Sequence, residues 1–543
     1  MMWRANGRDE IRHSEMTTVD EDVMAIKEGF EDAVEVTPVV MTLEAVLSGA
    51  IEDLPRGILR ALEADDYSGA LAAANQAYST RGPEERDVAL AYAVLLVGRH
   101  LVDEARGVLR RALKHHAQDV GLQLAQCEAL VMEGNFESAL DLLDGLRAVS
   151  TLEPRHMGFV GDLYLDMDRV EEAVDCYRQA LDRGLESPET AYRLALLLED
   201  EDELAAAAHY LEMAARFAAY NATLWEMAAE LLYEVGRVDD AVVAYEQMLE
   251  HRPYDPQAWF MLGLSYWYLD HFADAAVAFE KVLELNPRHR VAWRQLGQTY
   301  LSMGHGEKGL NAFRRALDLD GEDLEALNGA VRAAVEIGDV ELAARWAEKA
   351  AQLAPEDRDS QYNLAVVSLS LGRAEKALEV LRQLVSSGDG RLGTYLGTLA
   401  VAELMAGYVD EAFEHIGEAQ RRDVEPQWLA AFAEELLRSQ GTDEAIEFLE
   451  RADSNDGRWA LVRPLMGFVC SALGGDEERG GKFVEQFRAH LDEVEELLPL
   501  FWDLENWEAM AFRLERRFER TFDAMLDVLE GRCDPEEFDS LVE

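Results

Sequence analysis

Apolar residues along much of the chain fall into paired stripes at helical spacing. Trp259, Leu262, Gly263 and Tyr266 stand at i, i+3, i+4 and i+7, one face of a helix. A second stripe follows with Ala275, Phe279 and Val282. A breaker separates such stripes, and it is often glycine: Gly134, Gly236, Gly304, Gly338, Gly372 and Gly407. Glycine there suits a left-handed helix C-cap. Prolines fall mainly between the stripe pairs, at Pro253, Pro256, Pro287 and Pro355, where they can open or end a helix. The pattern predicts a succession of helix pairs.

The pairs repeat. The motif at Trp259 recurs thirty-four residues later as Trp293, Leu296, Gly297 and Tyr300, then Gly309, Phe313 and Ala316. It recurs earlier as Trp225, Ala228, Ala229 and Leu232, then Ala241 and Tyr245. The small residue of the second stripe marks the register at Ala70, Ala105, Ala139, Ala173, Ala207, Ala241, Ala275, Gly309, Ala343, Ala377, Ala412 and Ala445. From Ala105 to Ala377 every step is thirty-four. No single pair can bury its apolar faces alone, so stability is expected to be a nearest-neighbour sum along a stack. Ala241 and Ala275 are expected where two helices nearly touch, with Phe279 and Phe313 filling the space to the next repeat.

This register resembles the tetratricopeptide repeat (TPR) family over residues 51–459, about twelve repeats. The resemblance implies an all-α fold: antiparallel helix pairs stacked into a right-handed superhelical solenoid with a concave inner face. Residues 1–50 are expected to be an acidic tail, partly disordered, with short helices near 23–33 and 41–49. Residues 460–543 are expected to hold a degenerate repeat and capping helices, with a loop at 474–481 and helices near 482–498 and 503–529.

In TPR proteins ligands usually lie against concave-facing positions of the first helices. By that resemblance the peptide-binding positions here are Glu226, Glu230, Phe260, Met261, Trp267, Tyr268, Arg294, Gln298, Asn328, Arg332 and Asn363, with Tyr233 and Glu234 beside them. They order as carboxylates, then aromatics, then an Arg/Asn/Gln stretch. Arg294 and Arg332 are expected to be exposed. Trp267 and Tyr268 have a second reading, as packing between repeats. Family members that clamp a C-terminal carboxylate use Lys and Asn; here Arg294 and Gln298 stand at those positions, and Gly329 replaces the Asn of the next repeat.

Charge narrows the partner classes. The 543-residue chain has 107 Asp+Glu against 51 Lys+Arg, a net charge of −56. Nucleic acid and anionic membrane surfaces are disfavoured partners; protein or peptide partners fit. At 49% hydrophobic it is no disordered acidic tract. Only seven of the cationic residues are Lys, which suits either concentrated salt, where self-repulsion is screened, or an Arg-favouring genome. The first sixteen residues are polar, and the longest uncharged run, 256–269, is too short for a bilayer. A cytoplasmic protein without membrane insertion is expected.

No catalytic residue, cofactor or metal site is expected. Cys127, Cys176, Cys470 and Cys533 are far apart, with no CxxC or Cys/His ligand spacing. His115 and His116 are adjacent, so on a helix they diverge. Gly475–Phe483 has a superficial phosphate-loop look, but its Lys is misplaced and three acidic residues would face the phosphates. Arg513, Arg516, Arg517 and Arg520 form one cationic helical face beside Trp507, Met510, Leu514, Phe518, Phe522, Met525 and Leu529. This reads either as a capping helix or as a secondary docking helix. The functional expectation is a non-catalytic binding scaffold, with a peptide-responsive regulator or an enzyme's accessory subunit as the alternative.

Overall fold

The computed structural model describes residues 54–62, 64, 66–147, 152–386, 391–422, 424–452, 454, 457–491, 516–529, 532 and 538–542. The tail 1–50 with its two expected helices lies outside them, as do Cys533 and Arg513. Among the described residues the regular elements are helices, with no strand. The fold is an all-α solenoid of TPR helix pairs, in two compact units, one within Thr17–His271 and one within Phe272–Glu543.

The first unit runs from Arg56–Leu62 and Tyr67–Arg81 through successive pairs to Ala222–Glu234 and Val238–His251, then Pro256–Tyr268. Its buried residues form a continuous apolar core from Leu54 to Leu262. The second unit begins with Phe272–Leu285 and continues through Arg290–Ser302 and Gly306–Leu319, Leu324–Glu336 and Val340–Leu353, and Arg358–Ser370 and Ala374–Ser386. Leu392–Ala406 and Val409–Gln420, then Pro426–Ser439 and Thr442–Arg451, complete its regular stack.

Each signature residue has a specific physical task. The small anchors of the second helices are fully buried, from Ala70 to Ala445, because a larger side chain there would part the two helices. The tryptophans fasten the inter-repeat turn. Trp225 Nε1 donates to the Ala219 carbonyl at 3.1 Å, and Trp259 and Trp293 each reach a carbonyl six residues back, of Pro253 and Pro287, at 3.0 Å. The tyrosines lock consecutive repeats together: Tyr266 donates to Glu246 at 2.6 Å and Tyr300 to Glu280 at 2.5 Å. The aromatic of the second helix packs on a glycine of the first. A Cβ added at Gly161 would sit 2.6 Å from the Tyr177 ring, and one at Gly297 would sit 2.9 Å from Phe313. Phe313 also reaches the next repeat, where a Cβ at Gly329 would lie 2.3 Å from its ring.

From the pair Arg86–Val97 and Val102–Ala112 onward, the turn between the two helices of a pair carries a residue with positive φ. Gly134, Gly236, Gly304, Gly338, Gly372 and Gly407 have φ between 69° and 87°. His100, Asp168, Asp202 and Asp270 hold the same turn in other repeats with φ of 58–63°. Asp tolerates this conformation better than most residues, which is why glycine alone does not mark the repeat.

The expected loop at 474–481 is corrected. Asp476 caps a helix at Glu477–Arg488, accepting from the Arg479 amide at 3.1 Å, so Gly480 and Gly481 are helical. This helix pairs with Gly457–Gly474, and a Cβ at Gly467 would lie 2.4 Å from the Phe483 ring. The sixteen-residue glycine-to-aromatic spacing of earlier repeats is thus preserved, and buried Gly480 stands thirty-five residues after Ala445 as the next anchor. The phosphate-loop resemblance disappears with the loop.

Candidate functional site

In the first unit the acidic positions lie on Ala222–Glu234. Glu226 is partly buried and accepts from Arg252 Nη1 at 2.9 Å, while Arg252 Nη2 donates to Thr223 Oγ1 at 2.6 Å. Burial pushes the Glu226 carboxyl above its ordinary value, and the Arg252 charge pulls it part of the way back. Glu230 is half-buried. On Pro256–Tyr268, Met261 is buried, Phe260 and Trp267 are half-buried, and Tyr268 is exposed. Tyr268 meets Tyr233 edge-on, with ring centroids 6.5 Å apart. The apolar positions therefore split: Met261 serves the core, and Tyr268 offers a face to solvent.

In the second unit the expectation of two exposed arginines is corrected. The Arg294 side chain is only 16% exposed, held by Glu325 at 2.5 Å and Asp323 at 3.7 Å. Asp323 is itself buried, capping Leu324–Glu336 through the Ala326 amide at 2.9 Å and pairing with Arg290. Arg332 is half-buried; its guanidinium donates to Gln298 Oε1 at 2.5 Å and has no ion pair among the described residues. Burial holds it below the usual arginine range, with the Asp359 charge opposing, and Asp359 is bonded to Arg391 at 2.7 Å. Asn363, buried, donates to Asn328 Oδ1 at 2.9 Å, and Asn328 Nδ2 donates to Ser360 Oγ at 3.1 Å. The structure thus brings Gln298 to Arg332 and Asn328 to Asn363, and ties Arg294 away. Sequence positions alone missed Asp323, Glu325 and Asp359, because ion pairs near thirty residues apart form only once adjacent repeats are stacked.

The arginine helix near the C-terminus spans Arg516–Leu529, with Arg520 exposed. Its apolar side is occupied in packing: Phe522, Met525 and Leu529 are buried, and Phe518 meets Phe468 at 6.1 Å. No His/Cys/Asp/Glu group able to hold a metal occurs among the described residues, and none of their helices is long and apolar enough to cross a membrane.

Carboxylates with raised values set a pH dependence. Asp162, which accepts from Tyr177 Oη at 2.6 Å and pairs with Arg193, is also raised, chiefly by burial, and so is Asp166. A carboxyl whose folded value exceeds its unfolded one costs stability above that folded value. The cost is relieved as pH falls through it, down to about 4. Self-repulsion at −56 acts in the same direction. As pH falls from neutrality to about 5 the raised carboxylates favour a higher melting temperature, opposed below about 6.5 by His156 and His289, whose values burial lowers; the net change is expected to be a rise, smaller in Glu226→Gln. Thermal melts across that window, in buffer of constant ionic strength, check both; a wild-type melting temperature that only falls would contradict the assignment.

Sequence models of the tetratricopeptide repeat match residues 161–222, 222–265, 256–289, 294–358 and 347–391. A comparison with curated protein sequences finds no match. Similar solved structures include MamA from Desulfovibrio magneticus RS-1, 20% identical over 30% of this chain and 93% of that one, TM-score 0.30. A tetratricopeptide repeat protein from Parabacteroides merdae is 16% identical over 46% and 98%, TM-score 0.37. The Cut9–Hcn1 assembly of the APC/C is 15% identical over 76% and 95%, TM-score 0.32. Matched repeats between residues 161 and 391, with the same buried alanine anchors at Ala70, Ala105 and Ala139 before them and at Ala412 and Ala445 after them, make this chain a tetratricopeptide repeat protein.

Proposed function

We propose that the chain is a non-catalytic scaffold whose first helices capture a segment of a partner protein. The observation that carries this reading is Arg332, a half-buried guanidinium bonded to Gln298 and to no carboxylate among the described residues. In a chain with about twice as many acidic as basic residues, a half-buried cation whose neighbouring carboxylate, Asp359, is held by Arg391 is costly. A ligand carboxylate at Arg332 removes that cost and makes a charge-assisted bond. Asn328, on the same helix as Arg332 and held by Asn363 of the next first helix, supplies an amide for a ligand backbone. In the first unit, Tyr268 against Tyr233 offers an aromatic contact for apolar side chains. The two surfaces are proposed as separate contact regions, each on its own unit.

A displayed peptide library screened with the full chain tests the reading. Enriched peptides are expected to share an Asp, a Glu or a free C-terminal carboxylate, and to bind Arg332→Glu at least about tenfold more weakly. Trp267→Ala is expected to weaken peptides with an aromatic or leucine anchor by about 2 kcal/mol. Enrichment unaffected by Arg332→Glu would place the ligand elsewhere.

A further inference from the structure

A second surface stands apart from the first-helix face, between Val102–Ala112 and the following helix Val120–Met132. A recess of about 280 Å³ opens there. Leu109 and Leu130, both buried, and half-buried Leu113 make its floor. Arg106 and Arg110, one turn apart on the helix, and Lys114, in the turn just after it, make its rim. Arg106 is already bound by Glu133, at 2.7 and 2.9 Å. Arg110 and Lys114 are exposed, and their side chains make no hydrogen bond or ion pair among the described residues. Residues 102–116 carry four Lys/Arg against two acidic residues, the reverse of the chain's overall balance.

An apolar floor under a cationic rim sets two requirements on an occupant. It must bring an aliphatic or aromatic side chain of leucine size to the floor, since the recess is too small for a folded element. It must also bring carboxylates on both sides of that side chain to meet Arg110 and Lys114. Nucleic acid meets the second requirement and not the first, and the surrounding charge of −56 repels a long polyanion. We propose that this recess docks an acidic segment of a partner protein that inserts one large apolar side chain between carboxylates. The cations set association rate and orientation, and the floor supplies residence time. The chain could thereby hold two partners at once, one here and one on the first-helix face.

The test uses the full chain and a fluorescein-labelled peptide of glutamates flanking a single central leucine, followed by anisotropy at about 0.15 M salt. Saturable binding is expected. Arg110→Glu with Lys114→Glu should weaken it at least about tenfold, and replacing the peptide's leucine with alanine should weaken it several-fold. The double reversal should weaken the probe as much in an Arg332→Glu background, where the first-helix surface no longer competes for its carboxylates, which separates this surface from the peptide surface proposed above. Circular dichroism of the variants confirms that they remain helical. Equal binding by wild type and the double reversal overturns the proposal, and so does indifference to the leucine. If wild type fails to bind but a full chain with the acidic residues of 20–35 neutralised does bind, the recess belongs to the chain's own segment, and the partner reading is overturned.

Discussion

Phe313→Ala is expected to open the solenoid around residues 290–336 at a cost of about 3–5 kcal/mol. The ring is 1% exposed and lies against glycines of two first helices, Gly297 in its own repeat and Gly329 in the next. Its removal therefore weakens the fold within a repeat and the interface to the next one together. The complementary change, Gly329→Ala, forces a methyl group to 2.3 Å from the ring and is expected to cost about 1–3 kcal/mol. The two costs should not add, because the methyl partly fills the space the ring leaves. Amide exchange of Arg290–Ser302 and Leu324–Glu336 is the appropriate measure, since a stacked chain need not unfold in one step. Full additivity would mean that the ring and Gly329 do not share a contact.

His415→Leu is expected to cost about 3 kcal/mol or more. Glu403 is 1% exposed; His415 Nδ1 lies 2.7 Å from one of its oxygens, and Arg382 stands 3.8 Å from the other. Losing the histidine leaves a buried carboxylate with one distant cation. The double change Glu403→Leu with His415→Leu should recover most of the loss, because an apolar pair needs no desolvation to be offset. Exchange protection of Leu392–Ala406 and Val409–Gln420 reads the effect. A double variant no better than the single one would show that the polar pair holds these helices together by its own attraction.

Much of this architecture is legible before folding, because the tasks are local and recur. The buried anchors from Ala70 to Ala445 follow from one small residue per period, and the Gly turns from one breaker per period. Turns at His100, Asp168, Asp202 and Asp270 escape that reading because their backbone, rather than their side-chain type, carries the signal. The pair at 457–488 escapes it because Gly480 and Gly481 resemble a loop until Asp476 is seen to cap a helix. The candidate site is less legible. Positions on the first helices can be counted, but whether a cation there is available depends on carboxylates from the neighbouring repeat. Arg294 meets Glu325 and Asp323; among the described residues Arg332 bonds to Gln298, thirty-four residues before it, and to no carboxylate.

The left-handed turns carry a consequence for how such a chain can change length. Gly304 and Gly338 are the same joint, thirty-four residues apart, each leaving a helix with φ near 75°. A cut at one joint and a splice at the other restores the same backbone path, so a whole period can be lost or duplicated without inventing a new junction. Insertions of other lengths within a helix shift the Tyr-to-Glu and ring-to-glycine contacts out of register. For a gene encoding this chain, the period is the unit of currency in which binding surface can be added or withdrawn, and Arg332 sits inside one such unit.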